Sequence, residues 1–236
     1  MMTLMEALRS RHSVRRYTPQ PLDDAVRRML EDEIAQCNAE SRLHIQLVTD
    51  EPTAFKGLAS YGKFSGVCHY LVMAAPKDKR ADERVGYYGE RLLLRARQWG
   101  LCSCWVGLTY RKVPRAFSLN EGERVACVIA IGYAEDKGVL HKLRSPEALA
   151  PDYAAAPQWY RQGVDAALLA PSAVNQQKYR FALIGGDGPL PVVRIRRGRS
   201  LVGYTRMDMG IAKLHFEMGV NEGPWGARTF VWEEEH

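Results

Sequence analysis

Apolar positions along the chain fall into a helical period in some stretches and a strand period in others. Val26, Met29, Leu30, Ile34 and Cys37 recur at helical spacing behind Pro19, Pro21 and Asp23, which predicts a helix entered near Asp23. Thr3 to Arg9 is compatible with a short helix ahead of it. Leu43, Ile45 and Leu47 alternate with His44 and Gln46, the mark of a half-buried strand over Leu43–Thr49. Cys68–Ala75 is apolar almost throughout and stops at Pro76, as a buried strand does. Glu83–Trp99 sets Leu92, Leu93, Ala96 and Trp99 inward on a long helix, and Gly100 ends it. Val125–Tyr133 is the most apolar run and predicts the central strand.

A second set of elements follows. Arg144–Pro157 carries Pro146, Pro151 and Pro157 among alanines and reads as a connector wrapping a surface. Trp159–Ala170 predicts a helix, Pro171–Lys178 a loop and Tyr179–Ile184 a strand, with a turn at Gly185, Gly186 and Gly188. Arg194–Arg199 predicts a basic hairpin or strand edge, and Met207–Gly219 a helix with Ile211, Leu214 and Met218 on one face. Helix, loop and strand thus occur twice, with Ile45 and Phe181 in similar places 136 positions apart. The expected fold is α+β, in two similar halves that each hold a sheet flanked by helices. The halves are expected at residues 1–150 and, shorter, 151–236.

Composition narrows the class. Of 236 residues, 46% are hydrophobic and 25% charged, which excludes a disordered chain, a collagen-like fibre and a coiled coil. No apolar run approaches the roughly 18 residues of a membrane span. A formal charge of +6 favours anionic partners without choosing among nucleic acid, membrane and a phosphorylated small molecule. The five cysteines include Cys102 and Cys104, but no second cysteine pair or His-x-x-x-His completes a zinc site. They read instead as small core residues of a reducing compartment. Met1–Leu8 lacks the apolar core of a secretory leader, so the cytoplasm is the expected location.

Three segments carry candidate chemistry. Arg11-His12-Ser13-Val14-Arg15-Arg16-Tyr17 packs cations and a hydroxyl between a helix and a proline turn. Guanidinium forks and a serine suit phosphate oxygens; a solvated basic loop is the alternative. Lys142 and Arg144 follow the predicted central strand and share one side if extended, as a phosphate contact or a plain basic patch. Pro171-Ser172-Ala173-Val174-Asn175-Gln176-Gln177 offers amides suited to the polar edge of a heterocycle, or to satisfying its own backbone.

Together these segments resemble the flavin-dependent nitroreductase family in the order of their motifs. Arg11-His12-Ser13-x-Arg15-x-Tyr17 followed by Pro21 resembles that family's N-terminal phosphate-binding motif. Tyr61-Gly62-Lys63-Phe64 resembles its lysine-bearing segment near the flavin ring. Gly100–Gly107 resembles the helix-to-loop turn beside the reactive edge, with Val106 and Gly107 at its end. Val128–Tyr133, then Lys142-x-Arg144, resembles the late strand and second phosphate clamp. The resemblance spans residues 9–144. One departure is informative. The Pro-Ser-x-x-Asn-x-Gln loop, early in ordinary members, has only the poor match Cys37–Arg42 in the early place. The good match, with Pro171, Ser172, Ala173 and Asn175, lies late. This resembles the fused single-chain branch, in which two halves imitate the usual dimer.

The resemblance implies an FMN-dependent oxidoreductase that passes electrons from NAD(P)H to a nitro compound, quinone or similar small acceptor. It implies FMN phosphate held by Arg11, Ser13, Arg15, Lys142 and Arg144. It also implies a catalytic role for Lys63, stabilising negative charge on the reduced ring, and one flavin per chain. A monomer or loose homo-oligomer is expected, with no membrane or nucleic-acid partner. A non-catalytic flavin carrier or sensor is the alternative. Nucleic-acid binding through Arg194–Arg199 would be a third class, but the arginines are not interleaved with stacking aromatics.

Overall fold

The computed structural model describes residues 2–56, 63–222 and 228–233, without the side chain of Lys79. The chain forms two compact units, Met1–Leu140 and His141–His236.

In the first unit, helix α1 (Leu4–Ser10) starts in a capping box: Thr3 Oγ1 accepts from Glu6 N–H, and Glu6 accepts from Thr3 N–H at 2.7 Å. This reciprocal pairing satisfies two donors that a helix start otherwise leaves unpaired. Helix α2 (Asp24–Ser41) buries Leu30, Ile34 and Cys37 as its period predicts, while Met29 lies on the exposed side. Asn38, in its last turns, grips strand β1 (His44–Val48) through both the N–H and the carbonyl of Ile45, at 2.8 and 2.9 Å. Residues 37–41 are therefore the end of a helix, which explains their poor match to a flavin loop. In β1 the alternation slips: Ile45 and Val48 are buried, and Leu47 is half-buried.

Strand β2 (His69–Pro76) is buried from His69 through Ala75, as its unbroken apolar run requires. Helix α3 (Lys79–Gln98) begins earlier than the apolar pattern suggests, because the Asp78 carboxylate accepts from Ala81 N–H and caps it. Trp99 is half-buried rather than inward. Strand β3 (Cys102–Val106) occupies the segment expected as a helix-to-loop turn. Strand β4 (Glu123–Gly132) completes an antiparallel sheet of order β1-β2-β4-β3, so the most apolar run is indeed central. One face of the sheet meets α3, where Gly89 lets the helix approach Trp105 and Met73. The other carries Val48, Tyr70, Val72, Val106, Val128 and Ala130 against Val14, Tyr17 and Phe55.

In the second unit, the connector contains a short helix, α4 (Pro146–Leu149), capped by Ser145. Asp152 then ties helix α5 (Gln158–Leu168) to strand β5 (Tyr179–Ile184), accepting from Tyr160 Oη at 3.1 Å and Leu183 N–H at 2.9 Å. Strand β6 (Val192–Arg197) pairs antiparallel with β5 and, at Val192 and Val193, parallel with the short β7 (Val231–Trp232). The basic residues Arg194–Arg197 pair only with β5, so this part of β6 is a strand edge of a hairpin, as its sequence suggests. Helix α6 (Thr205–Asn221) is buried on nearly every side, not only along Ile211, Leu214 and Met218. It packs on α5 through small residues and stacks Phe216 on Phe181 at 5.1 Å. Among the described residues, no helix is long and apolar enough to cross a membrane.

Gly66 turns the chain beneath the N-terminal segment with φ +69°, and a Cβ there would lie 1.7 Å from the Tyr17 carbonyl oxygen. Both the conformation and the clash act on backbone that cannot move aside. Gly66→Ala should therefore lower the urea unfolding free energy by about 2 kcal/mol or more.

Candidate functional site

The segment from Arg11 to Thr18 is fastened along its length by backbone hydrogen bonds. Val14 N–H donates to Ser103 O at 3.1 Å, on the free edge of β3. Ser65 N–H donates to Arg15 O at 3.0 Å, and Tyr17 N–H to Ser65 O at 2.9 Å. Thr18 N–H reaches Tyr133 O, and Glu135 N–H reaches Arg16 O. The Tyr17 hydroxyl donates to Val14 O at 2.9 Å from a fully buried position. Gly138 closes over the segment, where a Cβ would come within 3.0 Å of Ser13 O. Three separate motifs, around residues 11–17, 63–65 and 103–104, therefore meet at one edge of the sheet.

The side chains then divide. Arg15 and Arg16 point to solvent, and Arg16 pairs with Asp136 at 2.7 Å. Arg11 turns inward, its side chain only 3% exposed, with Nε 2.9 Å from Oε1 of the fully buried Glu90. The other Glu90 oxygen accepts from the Trp105 indole at 2.9 Å. Close as the ion pair is, neither Nε nor Nη1 of Arg11 makes a hydrogen bond among the described residues. Buried guanidinium N–H groups without acceptors are rare and costly.

The surroundings are cationic. Arg97 Nε donates to Ser10 Oγ at 3.2 Å, and Arg97 Nη1 lies 3.5 Å from Cys102 Sγ. Burial, then Arg11 and Arg97, hold the His12 imidazole below its ordinary pKa. Burial raises the Cys104 thiol, while Arg15, a hydrogen bond with Ser13, and Arg11 oppose that rise. Arg11, His12, Ser13, Arg15 and Arg97 thus form one group suited to an anion.

Lys63 is exposed, two residues before Ser65. Tyr61 and Gly62 of the same motif lie outside the described residues. Val106 is buried at the end of β3 and faces Val128 across the ladder, with Gly107 just beyond. At strand rise, Val106 lies about 10 Å along β3 from Ser103.

The remaining candidates fall in the second unit. Lys142 and Arg144 are exposed. The Lys142 carbonyl accepts from Asn175 Nδ2 and Gln177 Nε2, each at 2.9 Å, and Arg144 donates to Gln176 O at 3.1 Å. Asn175 Oδ1 also accepts from Gln177 Nε2, so one end of its amide serves the loop itself and the other the Lys142 carbonyl. Ser172 Oγ accepts from Gln177 N–H at 2.9 Å. Pro171 is buried and Ala173 half-buried. Val174, Asn175 and Gln177 hold φ of 45°, 55° and 44°, a left-handed backbone that is strained for a β-branched valine.

That backbone is held by Asp208 of α6. Its carboxylate accepts from Ala173 N–H at 2.9 Å and Gln176 Nε2 at 2.7 Å. Burial pushes the Asp208 carboxyl up to about 6, against the lowering effect of these two hydrogen bonds. Asp208, Glu90, Trp105 and Arg97 were not expected from sequence. Their only signal there is charge or bulk inside otherwise apolar or helical stretches.

The sequence profile of a family described as "Putative TM nitroreductase" matches residues 3–220. The chain belongs to this nitroreductase family. Two solved structures, each described as a "putative nitroreductase", share its fold. One, from Thermotoga maritima, is 22% identical with a TM-score of 0.65, covering 97% of this chain and 88% of its own. The other, from Desulfovibrio desulfuricans and solved in complex with FMN, is 19% identical with a TM-score of 0.50. It covers 62% of this chain and 94% of its own. No curated protein matched this chain.

Two measurements test the buried carboxylates. Glu90→Gln leaves the Arg11 cation buried without its counter-charge, and should cost about 3–5 kcal/mol in urea unfolding. Asp208 binds its proton more tightly folded, near pH 6, than unfolded, near 3.8. Its contribution to stability is therefore fully present below the unfolded value and lost as pH rises through about 6. Asp208→Asn should flatten the fall in Tm between pH 4 and 6.

Proposed function

We propose that this chain is an FMN-dependent oxidoreductase of nitroreductase type, passing electrons from NAD(P)H to a nitro compound, quinone or similar small acceptor. One observation carries the reading: the buried Arg11 guanidinium, whose Nη1 has no hydrogen-bond acceptor among the described residues, stands beside Ser13 and Arg15. Glu90 faces Nε and neutralises the charge but leaves Nη1 unused. A phosphate oxygen supplies the acceptor that Nη1 lacks, so the residues present fit the terminal phosphate of FMN. Family membership and the FMN complex of a protein with the same fold support that cofactor. Flavin when bound supplies hydride chemistry that no side chain offers.

The chain's own residues then take distinct roles. Arg11 donates from a fixed, buried position; Arg15 adds a solvent-facing cation, and Ser13 a short hydroxyl contact. His12, held below its usual pKa, is favoured in its neutral form until an anion arrives. Lys63 is the proposed catalytic residue, its ammonium stabilising negative charge on the reduced ring. Val106 and Gly107 are proposed to border the ring. For Lys142, Arg144, Pro171, Ser172, Ala173 and Asn175, motif order supports a part in cofactor binding. None of the five cysteines forms a disulfide among the described residues, which fits the cytoplasmic location expected from sequence.

A second reading, a flavin carrier or sensor without turnover, is favoured by the Asn175 and Gln177 amides being spent on the Lys142 carbonyl. Reduction of bound flavin by NADPH in a stopped-flow trace separates the two.

Arg15 gives the cleanest test, because its side chain is exposed and its removal leaves the Glu90 pair intact. Arg15→Ala should weaken FMN binding about tenfold or more, the worth of one charge-assisted contact. Saturation with FMN should also raise the His12 pKa measured by NMR. Unchanged affinity together with an unmoved His12 would sink the phosphate assignment.

A further inference from the structure

Strands β5 and β6 place Arg180 directly across from Arg196, both exposed, on the face opposite the buried Tyr179, Phe181, Val193 and Ile195. Like charges opposite one another weaken a ladder. Here nothing relieves them: Lys178, Arg180 and Arg196 on this face have no acidic partner among the described residues, nor do Arg197 and Arg199 at the end of β6, whereas Arg194 pairs with Glu233. Such a face is stabilised when an anionic surface meets it.

The loop that leaves β6 adds the opposite chemistry. Leu201 is fully exposed at 106% relative accessibility, and Val202 is 43% exposed. This apolar tip is built, not loose. Ser200 Oγ accepts from Val202 N–H at 3.1 Å and donates to Gln176 Oε1. Gln176 Nε2 in turn donates to Gly203 O at 2.9 Å. One side chain therefore pins both feet of the loop and holds two aliphatic side chains out into water. Arg196, Arg197 and Arg199 stand at its base.

From this arrangement we infer that the β5–β6 face and the 200–203 loop form a docking surface for an anionic lipid bilayer. The cations meet headgroup phosphates, and Leu201 and Val202 enter the interfacial apolar region. Aliphatic tips fit hydrocarbon and offer no stacking plane to bases, which disfavours nucleic acid. A second copy of the chain would set arginine against arginine across a two-fold axis. The inference departs from the sequence expectation of no membrane partner, which rested on the lack of a spanning segment. It does not depend on the flavin reading.

Cosedimentation of the full chain with vesicles tests it. Binding is expected to phosphatidylglycerol-containing vesicles, to be weak for pure phosphatidylcholine, and to fall between 0.1 and 0.5 M salt. Arg180→Gln with Arg196→Gln should reduce partitioning roughly 25-fold, at about fivefold per arginine. Leu201→Ser with Val202→Ser should reduce it about tenfold. All four side chains are exposed, so thermal unfolding of both variants should match the parent. No binding to anionic vesicles, equal binding to phosphatidylcholine, or binding indifferent to the Leu201/Val202 change would overturn the proposal. So would tighter binding to single-stranded RNA that survives that change.

Discussion

The first unit is organised around one buried charge. Glu90 sits inside α3 with no exposed surface, and it is tolerable there only because Arg11 and Trp105 face its two oxygens. Those partners come from different elements, the turn after α1 and strand β3. Satisfying the carboxylate therefore fixes how α1, α3 and β3 meet. Gly89 makes this possible, since a Cβ at that position would press to 2.5 Å from the Trp105 ring. The same pairing turns the Arg11 guanidinium inward and leaves its Nη1 without a hydrogen-bond partner among the described residues.

The second unit solves a similar problem with Asp208. A strained loop persists only when its surroundings over-determine it. Asp208 and Ser172 do so by accepting from loop backbone, at Ala173 N–H and Gln177 N–H, and Gln176 does so by anchoring its amide on Asp208. Gln176 serves twice, because it also reaches the 200–203 loop. The flavin-like motif and the exposed apolar tip thus share a single amide as their common support.

Most of the framework was legible in the sequence, for identifiable reasons. Strand β5 matches its expected range, since Tyr179 and Phe181 alternate with Arg180 and stop at glycines. Strands β2 and β4 are runs too apolar to be anything but buried. Strand β3 was hidden because Cys-Ser-Cys presents small side chains with little contrast between faces. Its identity comes from pairing with β4 and with the Ser13 segment, which no local pattern reveals. The site divided in the same way. Motif order puts Arg11, Ser13 and Arg15 in the candidate site, and the fold brings them together beside Cys104. Glu90 could not, because a glutamate within a charged helix looks like every other until tertiary packing buries it. Asp208 was obscured for the same reason.

The fastening of residues 11–18 also sets an order of assembly. Their partners are Ser65, Ser103, Tyr133, Ala134 and Glu135, so this segment completes its contacts only after most of the first unit exists. Contacts that span so much sequence are slow to form. Until residue 135 has left the ribosome, the cationic stretch has no complete set of backbone partners. A cluster of cations is thus made before the strands and loops that fasten it.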